Sequence, residues 1–156
     1  PVEPQMREAL SELDELRLRL RELMDLDEEA YAALMSRYKL PKETPEQQEQ
    51  RAAEIETALR RAAEVPLESA RTAVRLLQVL GPVAESANRN AISDAGAAAL
   101  LAEAAARASL LNVRTNASLM KDRQAADQYL RSMEEIETQA TTLGRAALSA
   151  AVARIG

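Results

Sequence analysis

Apolar residues recur along the N-terminal stretch in alternating steps of three and four: Leu10, Leu13, Leu20, Met24, Tyr31, Leu34 and Tyr38. A helical turn of about 3.6 residues gathers such positions into one stripe, so the pattern predicts a single helix from Pro1 to about Tyr38. The run LPKETP, Leu40 to Pro45, breaks it. Thr44 is placed to cap the next helix, with Pro45 at its first position and Gln47 completing a capping box. That second helix extends from about Pro45 to Leu80. Pro66 predicts a kink or brief break, because proline lacks the amide donor and its ring clashes with the preceding turn. Gly81-Pro82 reads as a stop or second kink, and SANRN, from Ser86 to Asn90, as a connection.

Ser93 or Asp94 then caps an alanine-rich helix reaching towards Leu119. Its predicted inner face is small: Ala95, Ala98, Ala102, Ala105 and Ser109. Such a face invites close approach by another helix, from this chain or from a second copy. Asp122 is placed to cap a last helix ending near Ile155. The pattern as a whole predicts an all-α bundle of about four or five long, partly kinked helices, spanning 1–156 as one domain and self-associating at least to a dimer.

Composition supports this picture. The chain of 156 residues is long enough for a real core. Ala and Leu dominate, and the only aromatic residues are Tyr31, Tyr38 and Tyr129. Neither His nor Cys occurs. That excludes thiol nucleophiles and Ser–His–Asp triads and predicts no metal site, leaving proton transfer to Asp, Glu, Lys, Tyr or water. The net charge of −5 is interspersed, without a basic stripe or an aromatic platform, so nucleic acid is not an expected partner. The Ala-rich stretch carries Glu103 and Arg107, too polar to span a membrane. With no cysteine and no apolar signal core at the start, a cytoplasmic location is expected.

Three sets of polar residues interrupt the apolar pattern. Asp27 lies among Leu23, Met24, Ala30, Tyr31 and Leu34. A carboxylate on a buried face loses hydration, which disfavours its charged form and suits it to general-acid work. The alternative is an ion pair with a facing helix. Arg17 also interrupts the stripe, but its long stem can lie there with the charge in water. Asn112 and Asn116 sit one turn apart beyond Ser109. They suit a multiply hydrogen-bonding ring, or equally a register-fixing contact between helices. Asn88, Asn90, Ser93 and Asp94 form a loop-to-helix junction that turn formation and capping explain, although free backbone donors there could also meet an anion.

The segments MDLDEEAYAALMSRYKLPKETPE (Met24 to Glu46), RRAAEVPLESA (Arg60 to Ala70) and NRNAISDAGAAALLAEAAARASLLNVRTN, followed by Asp122, resemble the formimidoyltetrahydrofolate cyclodeaminase/methenyltetrahydrofolate cyclohydrolase family. They look like that family's V-D-x-D-x-x-A-F and L-P-K-x-T-P-E stretches, its A-x-x-V-P-L segment and its G-N-x-x-x-x-S-D … N-V-x-x-N pattern. The resemblance implies closure of N5-formimidoyltetrahydrofolate to 5,10-methenyltetrahydrofolate with loss of ammonia, or alternatively hydrolysis of the methenyl compound. It implies a homodimer or larger assembly and no cofactor beyond the tetrahydrofolate substrate. It places the catalytic acid on Asp27 and pocket residues on Asn88, Asp94, Asn112 and Asn116. Two departures stand out. The family's P-G-G-G-S segment and first small-residue helix do not occur, and Ala87 replaces the glycine before Asn88, where alanine tolerates positive φ poorly. The competing reading, from another class, is a non-catalytic helical oligomer whose polar residues set register.

Overall fold

The computed structural model describes residues 2–86, 88 and 90–155. It holds four helices, α1 (Val2–Arg37), α2 (Pro45–Ser86), α3 (Ile92–Leu119) and α4 (Arg123–Ile155). No strand occurs among the described residues. The chemistry predicted at two helix starts is present. The Gln47 N–H donates to Thr44 Oγ1 at 3.3 Å, and the Thr44 N–H donates back to Gln47 Oε1 at 3.2 Å. At α4, the Ala125 N–H donates to Asp122 Oδ1 at 3.0 Å. That bond, reinforced by the Arg60 guanidinium, holds the Asp122 carboxyl below its ordinary range.

One local expectation fails and two are narrowed. Neither Ser93 nor Asp94 caps α3: the N-cap is Ala91, without a side-chain bond. The Ala91 N–H instead closes a turn onto the Asn88 carbonyl at 2.9 Å. Of the kink or break expected at Pro66 and the stop or kink at Gly81-Pro82, the break and the stop are absent, since α2 runs through both prolines. Around Pro66, the buried Ala62, Ala63, Val65, Leu67 and Ala70 pack on neighbouring helices, and this burial outweighs the local cost of proline.

Helix α2 is the hub. It packs against α1, α3 and α4, and α3 packs on α4, whereas among the described residues the backbone of α1 comes close to that of α2 and not to those of α3 and α4. The largest core cluster joins Leu67, Leu77, Leu110, Val113, Met133 and Ile136 from α2, α3 and α4. Helix α1 is fastened by Leu23 and Ala30 against Val65, and by Leu34 against Leu59 and Ala63. Its buried stripe is thus rotated from the predicted one: Leu23, Ala30 and Leu34 are enclosed, whereas Leu10, Met24 and Tyr31 remain exposed. The small face of α3 is likewise rotated. The buried residues are Ala95, Gly96, Ala99, Ala102 and Ala106, packed within the chain, while Ala105 is exposed.

Helices α3 and α4 approach closely at Gly144. A Cβ added there would meet Glu103 Oε2 and lie 3.0 Å from Glu103 Cβ and 3.1 Å from its Cδ. Overpacking costs about 1–3 kcal/mol, whereas replacing a mid-helix glycine by alanine returns about 1 kcal/mol of propensity. Gly144→Ala should therefore destabilise the protein by about 1 kcal/mol net. In a Glu103→Ala background the carboxylate contacts vanish while the 3.0 Å contact with the Cβ at position 103 stays, so the same change should cost less than in the wild type. Urea unfolding of the four proteins measures the difference.

Candidate functional site

Because the backbones of α1 and α3 flank α2 without approaching each other among the described residues, a groove runs between them with α2 as its floor. Two adjoining cavities occupy it. One, of about 470 Å³, is lined by Leu20, Leu23, Pro66, Ser69, Ala105 and Ser109. The next, of about 400 Å³, is lined by Glu28, Tyr31, Ala62, Thr115 and Asn116. Met24, Asp27 and Asn112 line both and mark where they meet.

Asp27 reaches the groove from the edge of the buried stripe of α1 and is half-buried rather than enclosed. Its carboxylate has no hydrogen-bond or ion-pair partner among the described residues, and so does not form the cross-helix pair that is its alternative explanation. Asn112 stands opposite on α3, exposed, and its carboxamide also makes no hydrogen bond among the described residues. Both its donor and its acceptor are therefore available to a ligand.

Asn116 is used differently. Proline at 66 has no N–H to offer the carbonyl four residues back, which is that of Ala62. The Asn116 Nδ2 donates to Ala62 O at 2.7 Å and to Asn112 O at 3.0 Å. Its donors serve the helices, so towards the groove it presents only its amide oxygen. Asn116 thus fills the register-fixing role, while its position keeps it on the cavity wall. A proline inside a helical pattern announces a free carbonyl at i−4, so the position of Pro66 alone marks Ala62 as an acceptor in need of a donor.

The remaining two predicted residues lie elsewhere. Asn88 Oδ1 accepts the Asn90 N–H at 3.1 Å in a local turn. Asp94 is exposed in the first turn of α3. Eighteen residues separate it from Asn112 along α3, a rise of about 27 Å. Within one chain, then, Asp27, Asn112 and Asn116 converge, and Asn88 and Asp94 do not. Ala87 lies outside the described residues. Among the described residues, no three acidic side chains cluster as a metal site would require.

A groove walled by helices, holding the unpaired carboxylates of Asp27 and Glu28 and the unpaired carboxamide of Asn112, is the geometry of a small-molecule acid–base site. The chain belongs to the formiminotransferase-cyclodeaminase family, whose model matches residues 1–135. It is 39% identical over 142 residues to methenyltetrahydrofolate cyclohydrolase of Methylorubrum extorquens, covering 91% of this chain and 68% of that protein. It is 37% identical over 103 residues to formimidoyltransferase-cyclodeaminase of Mus musculus, covering 66% of this chain but only 19% of that longer protein. Its fold matches the crystal structure of formiminotetrahydrofolate cyclodeaminase from Thermotoga maritima with a TM-score of 0.86 and 28% identity, over 99% of this chain and 73% of that one.

The proline–asparagine contact predicts a measurable coupling. Asn116→Ala leaves the Ala62 carbonyl without a donor and should cost about 1–3 kcal/mol. In a Pro66→Ala background the restored backbone N–H at position 66 takes that carbonyl, and the cost should fall by about 1 kcal/mol or more. Additive losses in a double-mutant cycle would show that the two residues act independently.

Proposed function

We propose that the groove binds a tetrahydrofolate carrying a one-carbon unit and that Asp27 handles the proton of the reaction at that carbon. The observation that carries this reading is the Asp27 carboxylate, facing the groove without a protein partner beside Asn112. Family membership supplies the substrate class.

In the cyclodeaminase direction, N10 of the folate attacks the formimidoyl carbon on N5. The resulting tetrahedral centre expels its nitrogen as ammonia, which leaves only after protonation. Asp27 is the acid for that step. The walls contribute by holding N10 near the reacting carbon, and Asn112 contributes a donor and an acceptor to the ring. No group other than the tetrahydrofolate itself is needed for this chemistry.

A second reading is favoured by the Methylorubrum relative, a cyclohydrolase matched over 91% of this chain. Here water adds to the methenyl carbon, Asp27 takes the proton released, and N5 leaves with a proton to give 10-formyltetrahydrofolate. Both readings use the same carboxylate.

The methenyl absorbance tests them together. Its appearance with ammonia from the formimidoyl compound supports the first, and its decay faster than in buffer supports the second. Asp27→Asn keeps the shape of the side chain and removes its exchangeable acid, so turnover should fall roughly a hundredfold or more with folate binding largely kept. A stable, fully active Asp27→Asn protein would refute the assignment.

We also infer that the chain assembles with itself. The predicted ground, the small face of α3, is occupied within the chain, but a different one replaces it. Leu100, Leu101 and Leu111 are 50%, 72% and 66% exposed on α3, with exposed Ala104 and Ala108 between them. A contiguous apolar patch of this kind marks a contact surface. Light scattering at micromolar concentration should give at least a dimer, and Leu101→Glu with Leu111→Glu should shift it to monomer.

A further inference from the structure

The polar groups around Asp27 differ in how much of their hydrogen-bonding capacity the protein already uses. Helix hydroxyls in this chain commonly turn back on their own helix. Ser69 Oγ donates to Val65 O at 3.1 Å, Thr72 Oγ1 to Glu68 O at 2.9 Å and Thr115 Oγ1 to Leu111 O at 2.9 Å. Ser109 does not. Its side chain is half-buried, yet its hydroxyl makes no hydrogen bond among the described residues, to the Ala105 carbonyl or to any other group.

Ser109 lines the cavity of about 470 Å³ together with Asp27 and Asn112. The other walls are Leu20, Leu23, Met24, Pro66 and Ala105, with Ser69, whose hydroxyl hydrogen is engaged. A water molecule needs about two to four polar partners to be held in place. The free ones converge here from two walls: the Asp27 carboxylate from α1, and Ser109 and Asn112 from α3, three residues and a rise of about 4.5 Å apart. Past the junction of the cavities, Glu28 and Tyr31 are both exposed and meet bulk water, which solvates without orienting.

We propose that Ser109 is a positioning residue that, with Asp27, holds the water attacking the one-carbon unit, and that it sets the balance between hydrolysis and ring closure. The inference rests on the folate reading above and adds to it the place of the water. One water hydrogen points to the Asp27 carboxylate and the other to Ser109 Oγ, which aims an oxygen lone pair at the methenyl carbon. The C–O bond forms as Asp27 takes the first proton. Asp27 then returns that proton to N5 as the C–N5 bond breaks. The remaining hydroxyl proton passes to solvent as the formyl C=O forms, so one proton is released for each water consumed. The oxygen thereby changes from a hydrogen-bond donor to an acceptor. A hydroxyl without a fixed partner follows that change by rotating: it accepts from the water and then donates to the carbonyl. A carboxylate cannot do so, nor can the tied hydroxyl of Ser69. Ring closure of the formimidoyl compound uses N10 of the substrate as nucleophile and consumes no water, so it draws on Asp27 but not on this contact.

The test compares the wild type with Ser109→Ala, Ser109→Thr and Ser109→Val in both reactions. In Ser109→Ala, kcat for methenyl hydrolysis should fall roughly tenfold, as loss of one oriented hydrogen bond predicts, while KM changes far less. The ratio of hydrolysis to ring closure should fall by a similar factor. Threonine and valine have nearly the same shape, so Ser109→Thr should keep more hydrolysis than Ser109→Val by roughly threefold or more. Melting temperature should hold in Ser109→Ala, because the hydroxyl has no protein partner to lose. If the wild type hydrolyses without closing the formimidoyl compound, the contrast between Ser109→Thr and Ser109→Val and the kcat–KM split decide. Equal hydrolysis in those two variants, or equal losses of both reactions in Ser109→Ala, would overturn the role of Ser109 and leave Asp27 as assigned. So would a wild type that closes the formimidoyl compound without hastening methenyl decay. A wild type that does neither removes the folate reading itself.

Discussion

The geometry of the groove turns on the hydrogen bond from Asn116 to the carbonyl of Ala62. A proline in the middle of a 42-residue helix would ordinarily be a weakness, because it leaves a backbone acceptor without its donor. Here that acceptor is met by the carboxamide of a neighbouring helix at 2.7 Å. The defect in α2 becomes the feature that sets where α3 sits against it. A shift of α3 by one residue would move the amide about 1.5 Å along the axis and rotate it away from its acceptor. The same register places Asn112, one turn earlier on α3, across from Asp27.

Once α3 is fixed on α2, the groove follows from what α1 lacks. Alanines and Gly96 let α3 settle against α2 and α4, leaving no bulky side chain to span towards α1. Helix α1 is held from one side only, by Leu23, Ala30 and Leu34 and by ion pairs from Arg19 to Glu68, Glu12 to Arg75 and Arg37 to Glu54. Those pairs are all partly exposed and contribute little stability each. Neighbouring helix axes pack about 8–10 Å apart, so two helices flanking a third without touching leave a channel between them. The wall that delivers Asp27 is thus the least firmly held element of the fold, a suitable property for a wall that must admit a bulky ligand.

Much of this is legible from spacing alone. The capping box at Thr44 and Gln47 and the cap at Asp122 are readable because local bonds depend only on local sequence. The helical character of every segment is equally plain. Phase is harder. Met24 and Tyr31 fit a three-and-four stripe as well as Leu23 and Ala30 do, and only the position of α2 decides which set is buried. That α2 continues through Pro66 is hidden for the same reason, since burial around it is a tertiary quantity. Of the site residues, Asp27, Asn112 and Asn116 come together, whereas Asn88 and Asp94 share a pattern with them but stand at the other end of α3. The cavity of about 420 Å³ that Lys42, Arg51 and Lys121 line leaves no sequence signal, because the three come from separate segments that only the fold joins.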